Sequence, residues 1–184
     1  MSLLNCVTSE VTPLNEQIFR IRIAAESGEL FDFKGGQYLF LLMPDGKKVP
    51  LSIASAPEEK QFIELHIRLM ANGGLVEEML ALFNSNQVFQ IDGPHGSCYL
   101  QDGDSDVVMI AGGTGFSPMK SLLDSALARG VSRNLSLYLG AQTQAELYQC
   151  DLVAEHDNNN SNFNYIPVLG KPDSEWQGKT GFPH

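Results

Sequence analysis

Residues 107–119 constrain this chain more than any other stretch. Residues 107–111, Val-Val-Met-Ile-Ala, form an unbroken apolar run, as expected of a strand buried on both faces. Gly112-Gly113-Thr114-Gly115 follows directly. Met119, Leu122, Leu123, Ala126 and Leu127 then fall at i, i+3, i+4, i+7 and i+8. That spacing predicts an amphipathic helix, with Ser117 at its N-cap and Pro118 at N1. The pattern continues downstream. Residues 135–139 read as a second buried strand, 145–155 as a second helix and 163–169 as a third strand. A β-α-β-α-β order implies a parallel sheet with right-handed crossovers.

Upstream of Asp102-Gly103-Asp104 the pattern is different. Phe19, Ile21 and Ile23 alternate with Arg20 and Arg22, and Ile63, Leu65 and Ile67 with Glu64, His66 and Arg68. Period-two alternation predicts half-buried strands. Further strands are expected at 37–43, 49–54, 88–91 and 98–100, separated by glycine- and proline-bearing turns such as Pro44-Asp45-Gly46 and Gly93-Pro94-His95-Gly96. One helix interrupts them, with Leu75, Met79, Leu82 and Phe83 on a single face. The expected architecture is an N-terminal antiparallel β-barrel over residues 1–102 and a C-terminal α/β parallel-sheet domain over residues 103–184. Three parallel strands would leave a bare sheet edge. The expectation is that the native domain continues past His184 and that this chain is C-terminally truncated.

Charge narrows the function. Twelve Lys and Arg stand against twenty-two Asp and Glu, a formal charge of -10. Such a surface repels nucleic-acid phosphates and anionic membranes. The first residues carry no basic segment leading into an apolar one, and no apolar run is long enough to span a bilayer. Cys6, Cys98 and Cys150 are scattered without metal-ligand spacing. They predict reduced thiols in the cytoplasm, each a small buried hydrophobe. No two of the four histidines stand at ligand spacing, so no metal site is expected.

The glycine run has two readings. Glycines let backbone N–H groups approach a ligand, and a helix N-terminus adds partial positive charge. A dinucleotide pyrophosphate suits that place. The other reading is a tight βα turn that needs glycine only for its geometry. Neither a GxGxxG fingerprint nor a P-loop is present, because Pro118 replaces the third glycine and no Gly-Lys-Ser/Thr follows.

Three ordered segments carry a family resemblance: Val49-Pro50-Leu51-Ser52-Ile53-Ala54-Ser55, Gly93-Pro94-His95-Gly96, and Ala111-Gly112-Gly113-Thr114-Gly115-Phe116-Ser117-Pro118. Gly36-Gln37-Tyr38-Leu39 and Gly178-Lys179-Thr180-Gly181 add to it. Together they resemble the ferredoxin–NADP reductase superfamily, and within it the bacterial NAD(P)H-flavin reductases that include the suppliers of luciferase. The resemblance implies an enzyme that moves hydride from NADH or NADPH to flavin (riboflavin, FMN or FAD). It implies flavin contacts from Pro50, Leu51, Ser52, Ile53, His66, Ile67, Gly73 and Gly74. Ser52 would be the catalytic residue, its hydroxyl bonding near flavin N5. Ala111, Gly112, Gly113, Thr114, Gly115, Phe116 and Gln142 would hold the nicotinamide dinucleotide. A flavin-dependent acceptor enzyme is the further partner. His66 can also be read as a solvated surface histidine.

The sequence departs from the family at two places. Val49 stands where the family has arginine and Leu51 where it has an aromatic residue. Asn72-Gly73-Gly74-Leu75-Val76-Glu77 resembles the helix start that receives flavin phosphate, yet Glu77 stands where Ser or Thr is usual. Both changes remove a phosphate grip, so flavin is expected to be a loosely held substrate. Gln142 and Thr143 are neutral where NADPH-preferring relatives carry basic side chains, so NADH is allowed. The alternatives are an electron-transfer module serving a protein partner and an inactive fragment.

Overall fold

Alternating apolar residues fix the first half. The computed structural model describes residues 2–69 and 73–182; Asn72 and His184 lie outside them. Six strands, β1 (Ser2–Pro13), β2 (Ile18–Ala25), β3 (Tyr38–Leu42), β4 (Lys48–Ser52), β5 (Ile63–Arg68) and β6 (Phe89–His95), pair in the order β4-β3-β6-β1-β2-β5. Every pairing is antiparallel. Ile21, Ile23, Leu39, Leu41, Ile63, Leu65 and Ile91 are fully buried in one core, and burial of each such side chain contributes about 1.5–3 kcal/mol. The helix α1 (Leu75–Asn84) presents Met79 and Phe83 to that core. The sheet curls until its edge strands meet: Ile53 bridges to Leu65, and Ala54 N–H donates to the Glu64 carbonyl at 2.7 Å.

One strand was not expected and one expected strand is absent. The twelve residues of β1 form a strand that pairs with both β2 and β6, although the sequence there shows no clean alternation. A register shift between Thr8 and Glu10 breaks the period, as a bulge does. Residues 98–100 are not a strand but part of the connector between the halves. Cys98 is exposed there, not a buried hydrophobe; Cys6 is buried and Cys150 is intermediate.

The second half runs β7 (Val107–Gly112), a 3-10 turn (Gly113–Gly115), α2 (Phe116–Ala128), β8 (Leu135–Ala141), α3 (Cys150–Asn159), β9 (Phe163–Leu169) and β10 (Lys179–Thr180). Its sheet is parallel, in the order β10-β9-β8-β7. Right-handed crossovers in that order place α2 and α3 on one face. Val108 and Ile110, on the other face of β7, are 61% and 50% exposed.

Three helix boundaries differ from expectation. Gly115, not Ser117, precedes the first helical residue of α2, and Ser117 is buried inside the helix. Residues 145–155 are not one helix. A 3-10 turn (Gln144–Glu146) ends early, Gln149 takes a left-handed φ of 56°, and α3 starts only at Cys150. The break lets Tyr148 turn inward, where it is buried. α3 also runs on to Asn159, past the expected helix end at 155. Among the described residues no helix is long and apolar enough to cross a membrane.

Candidate active site between the two halves

Closure of the barrel assembles the first side of the site. Along β4, Val49 is buried while Pro50 is exposed and Ser52 half-buried. Val49 therefore serves the core, opposite Leu41. The Ile53–Leu65 bridge sets residues 50–53 beside His66 and Ile67 of β5. That strand is buried on both faces. Ile63, Leu65 and Ile67 point into the barrel, and Glu64, His66 and Arg68 point towards the α/β half.

The glycine loop forms the opposite side. Gly113 has a φ of 52°, a left-handed conformation that costs any other residue strain. A Cβ built on Gly113 would lie 3.5 Å from Arg68 Nη1, so β5 reaches the loop through Arg68. A Cβ on Gly115 would meet nothing within 4 Å; the loop is bare on that side. No side chain caps α2, which leaves first-turn N–H groups for a ligand. Gly112 is exposed and Thr114 half-buried. Ala111 and Phe116 are buried. The Phe116 ring packs edge-on to Tyr148, and its N–H already bonds Gly113 and Thr114 carbonyls. Two clefts flank the loop, of about 410 Å³ and about 370 Å³, sharing Gly113, Ala141 and Glu146. Gln142 lines the second, its amide packed against Gly170. The exposed glycines, uncapped helix and paired clefts fit a dinucleotide.

At the start of α1 the arrangement differs. Gly73 and Gly74 have φ values of 61° and 82°, as a phosphate-receiving turn would require. A Cβ on Gly73 would stand 2.6 Å from Glu77 Oε1. The Glu77 carboxylate thus lies over the helix N-terminus, the place an anion would take.

Behind the site runs a buried polar seam that sequence reading missed. One face of α2 contributes Ser117, Lys120, Ser121 and Ser125, all buried. Lys120 Nζ donates to Asp124 (2.9 Å) and the Ala54 carbonyl (3.3 Å) and lies 3.5 Å from Glu64 Oε1. Ser121 Oγ donates to the Ser55 carbonyl at 2.6 Å, and Ser125 Oγ to Glu58 at 3.0 Å. His66 is not a surface histidine. Its ring is fully enclosed, 3.0 Å from Glu64 Oε1 through Nε2 and 3.0 Å from Tyr148 OH through Nδ1. The network assigns the tautomer: Tyr148 donates to Nδ1, and Nε2–H donates to Glu64. The signal was present as Ser117, Ser121 and Ser125 at i, i+4 and i+8 with Lys120 between them, a second stripe that an apolar count ignores.

The seam has a pH signature. Burial alone would raise the Glu64 pKa; the His66 hydrogen bond, the Lys120 charge and Arg22 outweigh it and hold the carboxyl at about 2, against 4.5 ordinarily. Burial lowers the His66 pKa, against the pull of Glu64. Both groups bind fewer protons folded than unfolded, so both stabilise at neutral pH and less in acid. The Glu64 contribution is complete above pH 4.5 and is lost as pH falls towards 2. Urea midpoints measured across that window should fall for the native chain and fall less steeply for Glu64→Gln.

Residues 5–99 match the family of oxidoreductase FAD-binding domains, and residues 109–184 match the oxidoreductase NAD-binding domain. The NAD(P)H-flavin reductase of Vibrio harveyi is 33% identical over 184 residues, covering 97% of this chain and 77% of that protein. The chain belongs to the NAD(P)H-flavin reductase family. A second flavin reductase, from Aliivibrio fischeri, is 34% identical with the same coverage. The flavin reductases share this architecture with longer proteins. GcoB, a cytochrome P-450 reductase of Amycolatopsis, superposes with a TM-score of 0.87 at 29% identity, over 99% of this chain and 56% of its own. The reductase component DmpP of phenol 2-monooxygenase, from Pseudomonas sp. strain CF600, is 36% identical over 83% of this chain and 44% of its own length.

Proposed function

We propose that this chain is an NAD(P)H:flavin oxidoreductase that treats flavin as a substrate and releases it reduced. The observation that carries the reading is the meeting of three segments. The β4 end with Ser52, the outer face of β5 and the Gly113 loop converge where the barrel closes. When bound, the nicotinamide supplies a hydride and the flavin ring accepts it. The chain contributes positioning. Pro50, Ser52 and the backbone of residues 51, 53, 66 and 67 would line the flavin ring, the side chains of Ile53, His66 and Ile67 being buried behind it, and the Ser52 hydroxyl would bond its reacting edge. Residues 111–115 and Gln142 would hold the dinucleotide, with Arg68 beside its phosphates. Phe116 supports this loop from below by packing on Tyr148. We place the boundary between the two functional halves near residue 102, in the connector between β6 and β7. A flavin-dependent acceptor enzyme would consume the product. Three unpaired cysteines support a reducing, cytoplasmic setting.

The test is oxidation of NADH and NADPH with riboflavin, FMN and FAD as acceptors. Turnover with riboflavin at least equal to FMN supports the proposal. Tightly copurifying FAD, or turnover only with a protein acceptor, would replace it with an electron-transfer module. Glu77 supplies a second arm. Glu77→Ser exchanges a carboxylate for a hydroxyl at the α1 N-terminus and should lower the KM for FMN about tenfold. The KM for riboflavin, which has no phosphate, should not change.

A further inference from the structure

Donor and acceptor of a hydride would sit on different halves of this chain, and a misplacement of about 1 Å between them can cost about a hundredfold in rate. Along most of α2 the halves are tied directly. Lys120 and Ser121 bond the carbonyls of Ala54 and Ser55, and Ser125 bonds Glu58. The glycine loop lies at the other end of that helix. Among the described residues, no hydrogen bond joins residues 113–119 directly to the barrel. Arg68 approaches Gly113 from the cleft side, but its guanidinium bonds Gln17 at 2.7 and 3.0 Å.

The loop is reached instead through Tyr148. Its phenol donates to Nδ1 of His66, 82 residues away on β5, at 3.0 Å. The same ring stands edge-on to His66, with centroids 5.3 Å apart, and to Phe116, at 5.4 Å. Phe116 N–H in turn closes the loop on the Gly113 and Thr114 carbonyls. All three side chains are buried. Glu64 bonds the far nitrogen of the imidazole and keeps it from turning. We propose that the Tyr148–His66 hydrogen bond is a positioning contact for hydride transfer: it fixes the glycine loop, which would hold the dinucleotide, against the strand whose backbone would border the flavin. This assignment rests on the function proposed above. Tyr148 touches neither reactant and acts through Phe116. The path is a contiguous set of packed side chains with one hydrogen bond across the boundary between the halves.

Tyr148→Phe removes that bond and keeps both ring contacts, so the fold should survive. The single-turnover rate of riboflavin reduction by NADH should fall about tenfold, with KM for each within about twofold of the native value. In the ligand-free chain, the Phe116 amide should exchange with solvent deuterium about tenfold faster. Ser121→Ala is the comparator. It removes a buried bond of 2.6 Å between the same two halves, but away from the loop. It should lower the urea midpoint about as much as Tyr148→Phe does, and leave both the rate and the Phe116 exchange unchanged. A native rate in Tyr148→Phe, a loss without faster exchange at Phe116, or an equal loss in Ser121→Ala would each overturn the assignment alone. No turnover by the native chain with any nucleotide and flavin would overturn the proposed function and this assignment with it.

Discussion

Glu64→Ala should lower the unfolding free energy by about 3 kcal/mol, read as a shift of the urea midpoint. Glu64 is 3% exposed and faces three partners: His66 Nε2 at 3.0 Å, Arg22 Nε at 3.3 Å and Lys120 Nζ at 3.5 Å. Removing it leaves His66 with a buried donor and no acceptor. It also takes one of two anions from Lys120, which is itself buried. Breaking a buried ion pair from one side costs more than the pair was worth, because the remaining charge keeps its desolvation penalty. Two groups limit the damage. Asp124 still holds Lys120 at 2.9 Å, and Glu10 still holds Arg22 at 2.9 Å. Glu64→Gln, which keeps an acceptor for His66, should cost less than half as much. Equal stability of Glu64→Ala and the native chain would mean that water satisfies the seam.

Ser52→Ala should lower kcat for flavin reduction about a hundredfold, the scale on which one hydrogen bond to developing charge contributes to a rate. Ser52 ends β4 where that strand leaves the core, and its side chain lies on the face opposite Val49 and Leu51. Alanine fits the same strand without strain, so stability should hold. Ser52→Thr retains the hydroxyl and should recover most of the rate. A KM that moves while kcat stays constant would make Ser52 a binding residue only. A hundredfold loss in both Ser52→Ala and Ser52→Thr would point to crowding at the position rather than to the hydroxyl.

Sequence and structure agree where one physical rule dominates. Clustered apolar residues made 107–111 and 135–139 readable as parallel strands, and they begin β7 and β8 at the expected residues, but β7 is buried on one face only, not on both as expected, because Val108 and Ile110 have nothing packed over them. The 163–169 strand coincides with β9. Disagreement arises where a tertiary partner overrides the local pattern. The first strand carries Thr8, Ser9 and Glu10 and has its register shift there, yet the ladders on both sides hold it in the sheet. The helix expected from 145 is interrupted because Tyr148 reaches His66 across the seam. The glycine loop was read from its local chemistry, and the β4 segment from the family resemblance. Arg68, Tyr148 and Lys120 were not, since each matters through a residue distant in the chain: Gly113, His66 and Glu64 respectively.

The two-sided burial of β5 has a thermodynamic consequence. Its inner face belongs to the barrel core and its outer face to the seam, so neither half has a surface of its own at that strand. If the α/β half opened by itself, Glu64 and His66 would be stranded against water on a strand still locked in the barrel. The barrel cannot melt without withdrawing the carbonyls of Ala54 and Ser55 from Lys120 and Ser121. Although the chain has two cores, it should therefore unfold as a single cooperative unit, with calorimetric and van't Hoff enthalpies expected to be equal.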